Sequence, residues 1–256
     1  AASMTAVRDW FFSVPLLIVF GLILGVGELI GRFSLLFGMG VYEQMMARLQ
    51  RALVWAFRIA GVKVEVEGRE NLASGGGYIF VSNHQSMFDI PIFGGILSNH
   101  IPRFVSKKSL AKGIPTVSLY LNRGGNALID RGDREQALEA IAEMGAWCEN
   151  RGVAAVIFPE GTRSRDGSLG SWRSAGLEAL LQSAPDLKVV PTVIDGSWKV
   201  FANNMMPVPF GTRVKVRVGI PIDRSADEDP QVILDQCRAF AQDTLDGWHT
   251  GSEPTT

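Results

Sequence analysis

Tyr78-Ile-Phe-Val-Ser-Asn-His-Gln-Ser-Met-Phe-Asp-Ile-Pro91 passes from a short apolar run, through a polar turn, into a second apolar segment. The run Tyr78–Val81 reads as a buried strand and residues 85–97 as a helix, an order that puts a site at the carboxyl end of a strand in an α/β domain. The same alternation extends on both sides. Val62-Lys-Val-Glu-Val-Glu67 has the strict period-two pattern of an exposed strand, closed by Gly68. Val153–Phe158, Lys188–Ile194 and Arg213–Val218 are further short strands. Residues 107–120, 133–150 and 173–183 read as helices, and Asp229-Pro230 opens a last one to about Asp246. Strands alternating with helices predict an α/β domain over 61–256, a mixed sheet flanked by helices.

The composition narrows the function. Among 256 residues, 25 Lys+Arg stand against 26 Asp+Glu for a net charge of −1, which gives no electrostatic basis for binding nucleic acid. Hydrophobic residues make up 46 %, yet 20 % are charged, too many for a polytopic membrane protein. The two cysteines, Cys148 and Cys237, cannot build a disulfide framework, a CxxC pair or a four-thiolate zinc site, and they suit a reducing compartment. No H-x-x-x-H or carboxylate-rich cluster suggests a metal, so none is expected.

The apolar excess sits at the front. Trp10–Gly27 is a stretch of 18 residues without a formal charge. As a helix it would extend roughly 27 Å, close to the roughly 30 Å of a bilayer's hydrocarbon. The run exceeds a signal peptide's apolar core, and no small-x-small cleavage site precedes Glu28 and Arg32, so it is expected to be retained. The chain opens on Ala1-Ala2-Ser3, and Met4 is the expected native start. Between Phe33 and Ala60, Tyr42, Met45, Met46, Leu49 and Leu53 form a helical apolar face, while Arg48, Arg51 and Arg58 are available to anionic head groups. Residues 1–60 are therefore expected to be a two-helix membrane-anchoring motif. A core helical hairpin of a soluble protein is the alternative.

Local charge is more pointed than the total. Ile101 to Ala140 holds seven basic residues against four acidic, whereas from Asp223 onward eight acids face two bases. A basic middle suits an anionic ligand or surface.

Two stretches carry chemistry. His84 and Asp89, five apart, would lie about 140° apart on one ideal helix. They meet if His84 precedes the helix and Asp89 lies in its first turns, where the carboxylate fixes the imidazole tautomer and leaves a ring nitrogen free as a base. His100 and His249 sit in a loop and a polar tail. Phe158-Pro-Glu-Gly-Thr-Arg-Ser164 again follows an apolar strand. Gly161 allows close approach of the backbone, Thr162 offers a hydroxyl, Arg163 supplies a fork suited to phosphate, and Glu160 is placed to hold Arg163 or another base.

Asn83-His-Gln-Ser-x-x-Asp89 followed by Phe158–Ser164 resembles the glycerolipid acyltransferase family, in particular bacterial 1-acylglycerol-3-phosphate acyltransferases. Gly124-Gly-Asn-Ala-Leu-Ile-Asp-Arg131 is similar to its second motif and Val190-Pro-Thr-Val-Ile-Asp-Gly196 to its fourth, with Lys107-Lys108-Ser-Leu matching a further run. The likeness covers about residues 61–222. It implies transfer of a fatty acyl group from acyl-CoA or acyl carrier protein to the free hydroxyl of lysophosphatidic acid, giving phosphatidic acid. His84 would be the base oriented by Asp89, and backbone amides near the second and third motifs would hold the oxyanion. Arg131, Arg163, Gly161 and Thr162 would bind the acceptor phosphate, assisted by Lys107 or Lys108. The acyl donor is a substrate and no cofactor is implied. The expected location is the cytoplasmic face of a bacterial inner membrane, in a monotopic hairpin among membrane phospholipids.

One departure stands out. The family's second motif carries an aromatic two positions before its Asp, where Ala127 and Leu128 precede Ile129 here, which leaves room for another lysolipid acceptor, lyso-aminolipids included. A serine lipid hydrolase would need an elbow such as G-x-S-x-G, which the sequence lacks. A non-catalytic lipid-binding protein would need the greasy front and basic patch but not the His84–Asp89 pair.

Overall fold

The structure, a computed structural model, describes residues 3–225 and 228–251. Its strands are β1 (Lys63–Glu67), β2 (Tyr78–Ser82), β3 (Arg103–Lys107), β4 (Ala127–Ile129), β5 (Ala155–Ile157), β6 (Lys188–Asp195) and β7 (Arg213–Val218). The helices are α1 (Met4–Leu35), α2 (Met39–Ala56), α3 (Asp89–Ile96), α4 (Val117–Arg123), α5 (Arg134–Arg151), α6 (Ala175–Ser183), α7 (Ser197–Val200) and α8 (Pro230–Thr250).

The strands form one sheet in the order β1-β7-β6-β2-β5-β3-β4, with β6 and β7 antiparallel and every other neighbouring pair parallel. This is the mixed α/β sheet that the alternation predicts. The central strands are buried on both faces and read as unbroken apolar runs for that reason. Phe80, Val156 and Val190 face a layer with residues of α1 to α4, while Ile79, Val81, Ala155 and Val189 face α5, α6 and α8. Each large side chain so buried contributes about 1.5–3 kcal/mol relative to exposure. At the edge, β1 alternates between exposed and half-buried residues, as its period-two charges require.

Two strands were not legible. Residues 107–120, expected as a helix, instead end β3 at Lys107, make a 3-10 turn over Lys108–Ala111, and enter a helix only at Val117. The charged Arg103 hides β3, because it is buried and paired with Glu43 of α2, which also holds Arg151 at 2.8 Å. Ala127–Ile129 is three residues long, too short to show a period.

The front of the chain also differs from expectation. α1 runs past Gly27 to Leu35, because Glu28 and Arg32 pair on adjacent turns at 2.6 Å instead of ending the helix. The apolar face of α2 is turned inward: Tyr42, Met46, Leu49 and Leu53 are buried, Tyr42 and Met46 in one cluster with the sheet core, while Arg48, Arg51 and Arg58 are exposed. A Cβ on Gly27 would overlap Leu49, and one on Gly31 would overlap Met46, so these glycines let α1 press onto α2. The opposite side of α1 exposes Phe11, Ile18, Leu22, Leu29 and Phe33.

Candidate active site

At the end of β2 the chain is fixed by a side chain acting as a backbone. The Asn83 amide nitrogen donates to the Ile194 carbonyl at 2.9 Å, and its oxygen accepts from the Ile194 amide at 2.9 Å, extending the ladder to β6 by one rung. The polypeptide leaves the sheet there, and the next residue is His84.

His84 lies before α3 and Asp89 is its first residue, the one arrangement in which the two can meet. His84 Nδ1 is 2.8 Å from Asp89 Oδ2. The same oxygen accepts from the backbone amides of Gln85 at 2.7 Å and Ser86 at 2.9 Å, which explains why residues 85–88 form a turn rather than the expected start of the helix. An ionised carboxylate only accepts, so Nδ1 carries the proton and Nε2 of the neutral ring keeps its lone pair. Asp89 is fully buried, and the His84 ring, 15 % exposed, lies flat on Phe158 with ring centres 4.2 Å apart.

That stacking joins the two halves of the site. The Ser164 amide donates to the His84 carbonyl at 2.8 Å, while Glu160 Oε2 accepts from the His84 amide at 3.4 Å. Glu160 does not hold Arg163, contrary to the expectation from their proximity in sequence. Its other oxygen accepts from the Gly170 amide and the Trp172 indole, each at 3.3 Å, so the side chain is spent on tying its own loop together. Burial pushes the Glu160 carboxyl above the usual carboxylate range, against those hydrogen bonds and the nearby His84.

Beside Glu160 the loop is open. Gly161 sits at φ +64° and, with Thr162 and Arg163, is exposed. Among the described residues, the amides of Thr162 and Arg163 have no intramolecular acceptor. Successive free amides around a left-handed residue form a concavity suited to an anion. The sheet order places the remaining candidates, since β2, β5, β3, β4 and β6 run parallel and end on one edge. Lys107 pairs in register with Ile129, which brings Lys107, Lys108 and Arg131 to the same edge. With strands about 4.8 Å apart, Arg163 follows the strand next to His84, and the lysines and Arg131 follow strands roughly 10 and 14 Å away. Among the described residues none of these four cations is in an ion pair. Ala127 is buried in the apolar layer under α5.

The other histidines are accounted for. His100 is buried with Nδ1 2.9 Å from the Gly76 carbonyl, and His249 pairs with Asp195 at 3.0 Å. Burial pushes the thiols of Cys148 and Cys237 up to about 12, leaving both unreactive at neutral pH. Sequence reasoning missed three supports. Asn83 and Gln85 lie inside the quoted motif, where the polar residues flanking His84 were the available signal. Gln85 Nε2 donates to Gly167 O and to Asp195 Oδ1, both at 3.3 Å. The third is Ser197, just past the fourth block.

The residues that build this arrangement lie almost wholly within 63–195, the span matched by the Acyltransferase family profile. The chain belongs to that family. It is 32 % identical over 188 residues to the 1-acyl-sn-glycerol-3-phosphate acyltransferase of Escherichia coli (strain K12), covering 72 % of this chain and 74 % of that one. It is 25 % identical to the alpha form of that enzyme in Ovis aries, over 70 % of this chain and 61 % of the relative. With the chloroplastic LPAT1 of Arabidopsis thaliana the figures are 26 %, 72 % and 49 %. The chain thus spans about half to three fifths of these two longer relatives. The crystal structure of PlsC, the 1-acyl-sn-glycerophosphate (LPA) acyltransferase of Thermotoga maritima, shares the fold with a TM-score of 0.75 at 24 % identity, covering 97 % of this chain and all of that one.

Proposed function

We propose that this member of the acyltransferase family moves a fatty acyl group from a thioester, acyl-CoA or acyl carrier protein, to the free hydroxyl of lysophosphatidic acid, giving phosphatidic acid. The observation that carries the reading is His84. Its Nδ1 is held by a buried carboxylate and Nε2 keeps a free lone pair, beside a line of unpaired cations. An alcohol becomes a competent nucleophile when a base removes its proton as it attacks, and Nε2 is that base. The hydroxyl oxygen bonds to the thioester carbonyl carbon, and the carbonyl oxygen takes the negative charge. As the intermediate collapses the thiolate leaves, and the proton held by His84 goes to its sulfur. The free amides of Thr162 and Arg163 are suited to negative charge, whether on the oxyanion or the acceptor phosphate. Arg163, the lysines and Arg131 supply the remaining positive field for the phosphate.

The reading extends to a membrane-associated, monotopic enzyme on the cytoplasmic face. Both ends of the apolar stretch of α1 are stapled to the α/β domain. Asp9 Oδ1 accepts from the Phe210 amide at 3.1 Å and Ser13 Oγ from the Val208 amide at 2.9 Å. Further along, Glu28 Oε2 accepts from the Thr116 amide at 2.5 Å, and Thr116 Oγ1 donates to Leu24 O at 2.6 Å. Ser13 and Glu28 are about 22 Å apart along the helix axis. A helix crossing the bilayer would drag one of these attachment points through the hydrocarbon, whereas a helix lying in one leaflet leaves both intact and wets its outer face with lipid.

The test is a product screen with purified protein in mixed micelles, offering lysophosphatidic acid and other lysolipids, each with acyl-CoA and with acyl carrier protein. Phosphatidic acid as the main product supports the proposal. Turnover only with a phosphate-free acceptor would overturn the phosphate role of Arg163 and Arg131.

A further inference from the structure

The carboxylate that orients His84 has a second oxygen, and it is held from an element outside both chemical motifs. Asp89 Oδ1 accepts from Ser197 Oγ at 2.5 Å. Ser197 is the first residue of α7, directly after Gly196, whose φ of +84° turns the chain out of β6 beneath the β2–α3 turn. A side chain on Gly196 would strike the Arg213 carbonyl, so the turn is available only to glycine. Both Ser197 and Asp89 are fully buried, with no exposed surface through which solvent could replace the hydroxyl. The alternative partner of Ser197, Gln85 Oε1, is 3.4 Å away, too long to compete for the single hydroxyl proton.

We infer that Ser197 is a positioning residue for the reaction, acting through Asp89 on the basicity and orientation of His84. The inference rests on the reading of His84 as the base. Oδ2 serves three donors, His84 Nδ1 and the amides of Gln85 and Ser86, while among the described residues Oδ1 has Ser197 alone. The hydroxyl therefore does two things. It fixes the rotation of the carboxylate about its own axis, so that Oδ2 lies in reach of Nδ1. It also draws negative charge toward Oδ1 and away from the imidazole. Without that hydroxyl the carboxylate keeps only the donors on Oδ2, the Gln85 and Ser86 amides and His84 itself, so more of its charge faces the imidazole. Besides Asp89, the charged or titratable groups nearest the pair are Glu160, whose carboxylate reaches the His84 amide, Asp195, which reaches Gln85 and pairs with His249, and the exposed Arg163 after the neighbouring strand. The Ser197 substitutions below leave all of them in place.

The experiment compares wild type, Ser197→Ala, Ser197→Cys and His84→Ala as full chains in the same mixed micelles. It follows kcat, the acceptor KM, the pH profile of kcat/KM and the melting temperature. Ser197→Ala is expected to lower kcat about tenfold or more, the scale of a lost hydrogen bond to a charged group, with the acceptor KM unchanged. Its acidic limb is expected to move up by about half to one pH unit, because His84 then holds its proton to higher pH. Ser197→Cys keeps a weak donor and should fall between the two in both quantities. A purely structural role would lower the melting temperature and the active fraction but leave the acidic limb where it is. An unmoved limb in both Ser197 variants, with His84→Ala inactive, overturns the inference and spares the base. Near wild-type turnover in His84→Ala overturns both.

Discussion

The turn after β2 and the outer face of α1 invert the usual rule of protein interiors in opposite senses. Around the turn, polar side chains are buried: Asn83, Gln85, Ser86 and Asp89 are all nearly or fully inaccessible. Along α1, apolar side chains are exposed: Phe11, Ile18, Leu22, Leu29 and Phe33 each present half or more of their surface. The first inversion is stable because nearly every buried polar atom has a partner, as in the reciprocal pair between Asn83 and Ile194. Among the described residues no contact covers the second, and a contiguous exposed apolar face of this length marks a surface for an apolar partner, which the proposed function takes to be lipid. On the function proposed above, the first holds the base rigid at the end of a sheet and the second faces the lipid from which the acceptor arrives, so that the chemistry is preorganised while the substrate comes from a fluid surface.

The sharpest way to break this contrast is at the buried end. His84→Ala removes the proposed base without touching α1, and should lower turnover by about 10²–10⁴-fold while vesicle binding and the melting temperature stay close to wild type. The assay is acyl transfer to lysophosphatidic acid beside a sedimentation measurement with anionic vesicles. Loss of binding in parallel with activity would mean that the two regions are not separable.

The converse change is Ile18→Lys with Leu22→Lys, two residues 60 % and 61 % exposed on the outer face of α1. Each lysine should cost roughly 2–3 kcal/mol of partitioning where it meets hydrocarbon, so the double variant should leave the membrane fraction. Because neither side chain packs in the core, its melting temperature in detergent should barely change. Activity on a soluble short-chain acceptor should survive, and activity on vesicle-borne acceptor should not.

How much of this was readable in the sequence differs between the regions for a physical reason. Central strands, the long helices and the His84–Asp89 geometry follow from local pattern, since period and spacing act over a few residues. β3 was hidden because Arg103 is buried through a partner sixty positions away, Glu43, and no local rule anticipates that. The direction in which α2 turns its apolar face is hidden for a related reason. An amphipathic helix looks the same in sequence whether its apolar side meets a bilayer or a sheet, and only the fold decides. Glu160 and Arg163 lie close in the chain, yet the turn at Gly161 sends one inward and the other to solvent.

Between the two regions lie the cations of the sheet edge, and the topology ranks them. Arg163→Ala removes the one that follows the strand next to His84 and should raise the apparent KM for a phosphorylated acceptor about tenfold or more, as expected for a contact of about 1.5–3 kcal/mol. Arg131→Ala, three strands from β2, should raise it less, with kcat nearly unchanged in both. Equal effects, or a larger one at Arg131, would place the phosphate nearer β4.

The smallest effect is expected where the two regions are fastened together. Thr116 sits at φ +64° and ψ −46°, with Val117 N donating to Pro115 O at 2.7 Å, the geometry of a tight γ-turn that is rare and strained. The clasp to Glu28 and to the Leu24 carbonyl holds it there. The hydrogen bond from the Thr116 amide is the chief reason that the Glu28 carboxyl stays below its ordinary range; burial works against it, and Arg32 adds to the lowering. A carboxyl whose value falls on folding contributes stability that is fully present above its unfolded value, near 4.5, and is lost as the pH falls through the lower folded value. Glu28→Gln should therefore melt slightly below wild type at neutral pH, by about 1 kcal/mol or less given the partial exposure of the group. The gap should narrow as the pH falls below 4.5 and close once it passes the lower folded value, where wild type loses the same charge. Thermal melts at pH 7 and pH 3.5 in one detergent measure it. A gap that persists unchanged at pH 3.5 would show that the side chain's shape, and not its charge, fastens α1 to the domain.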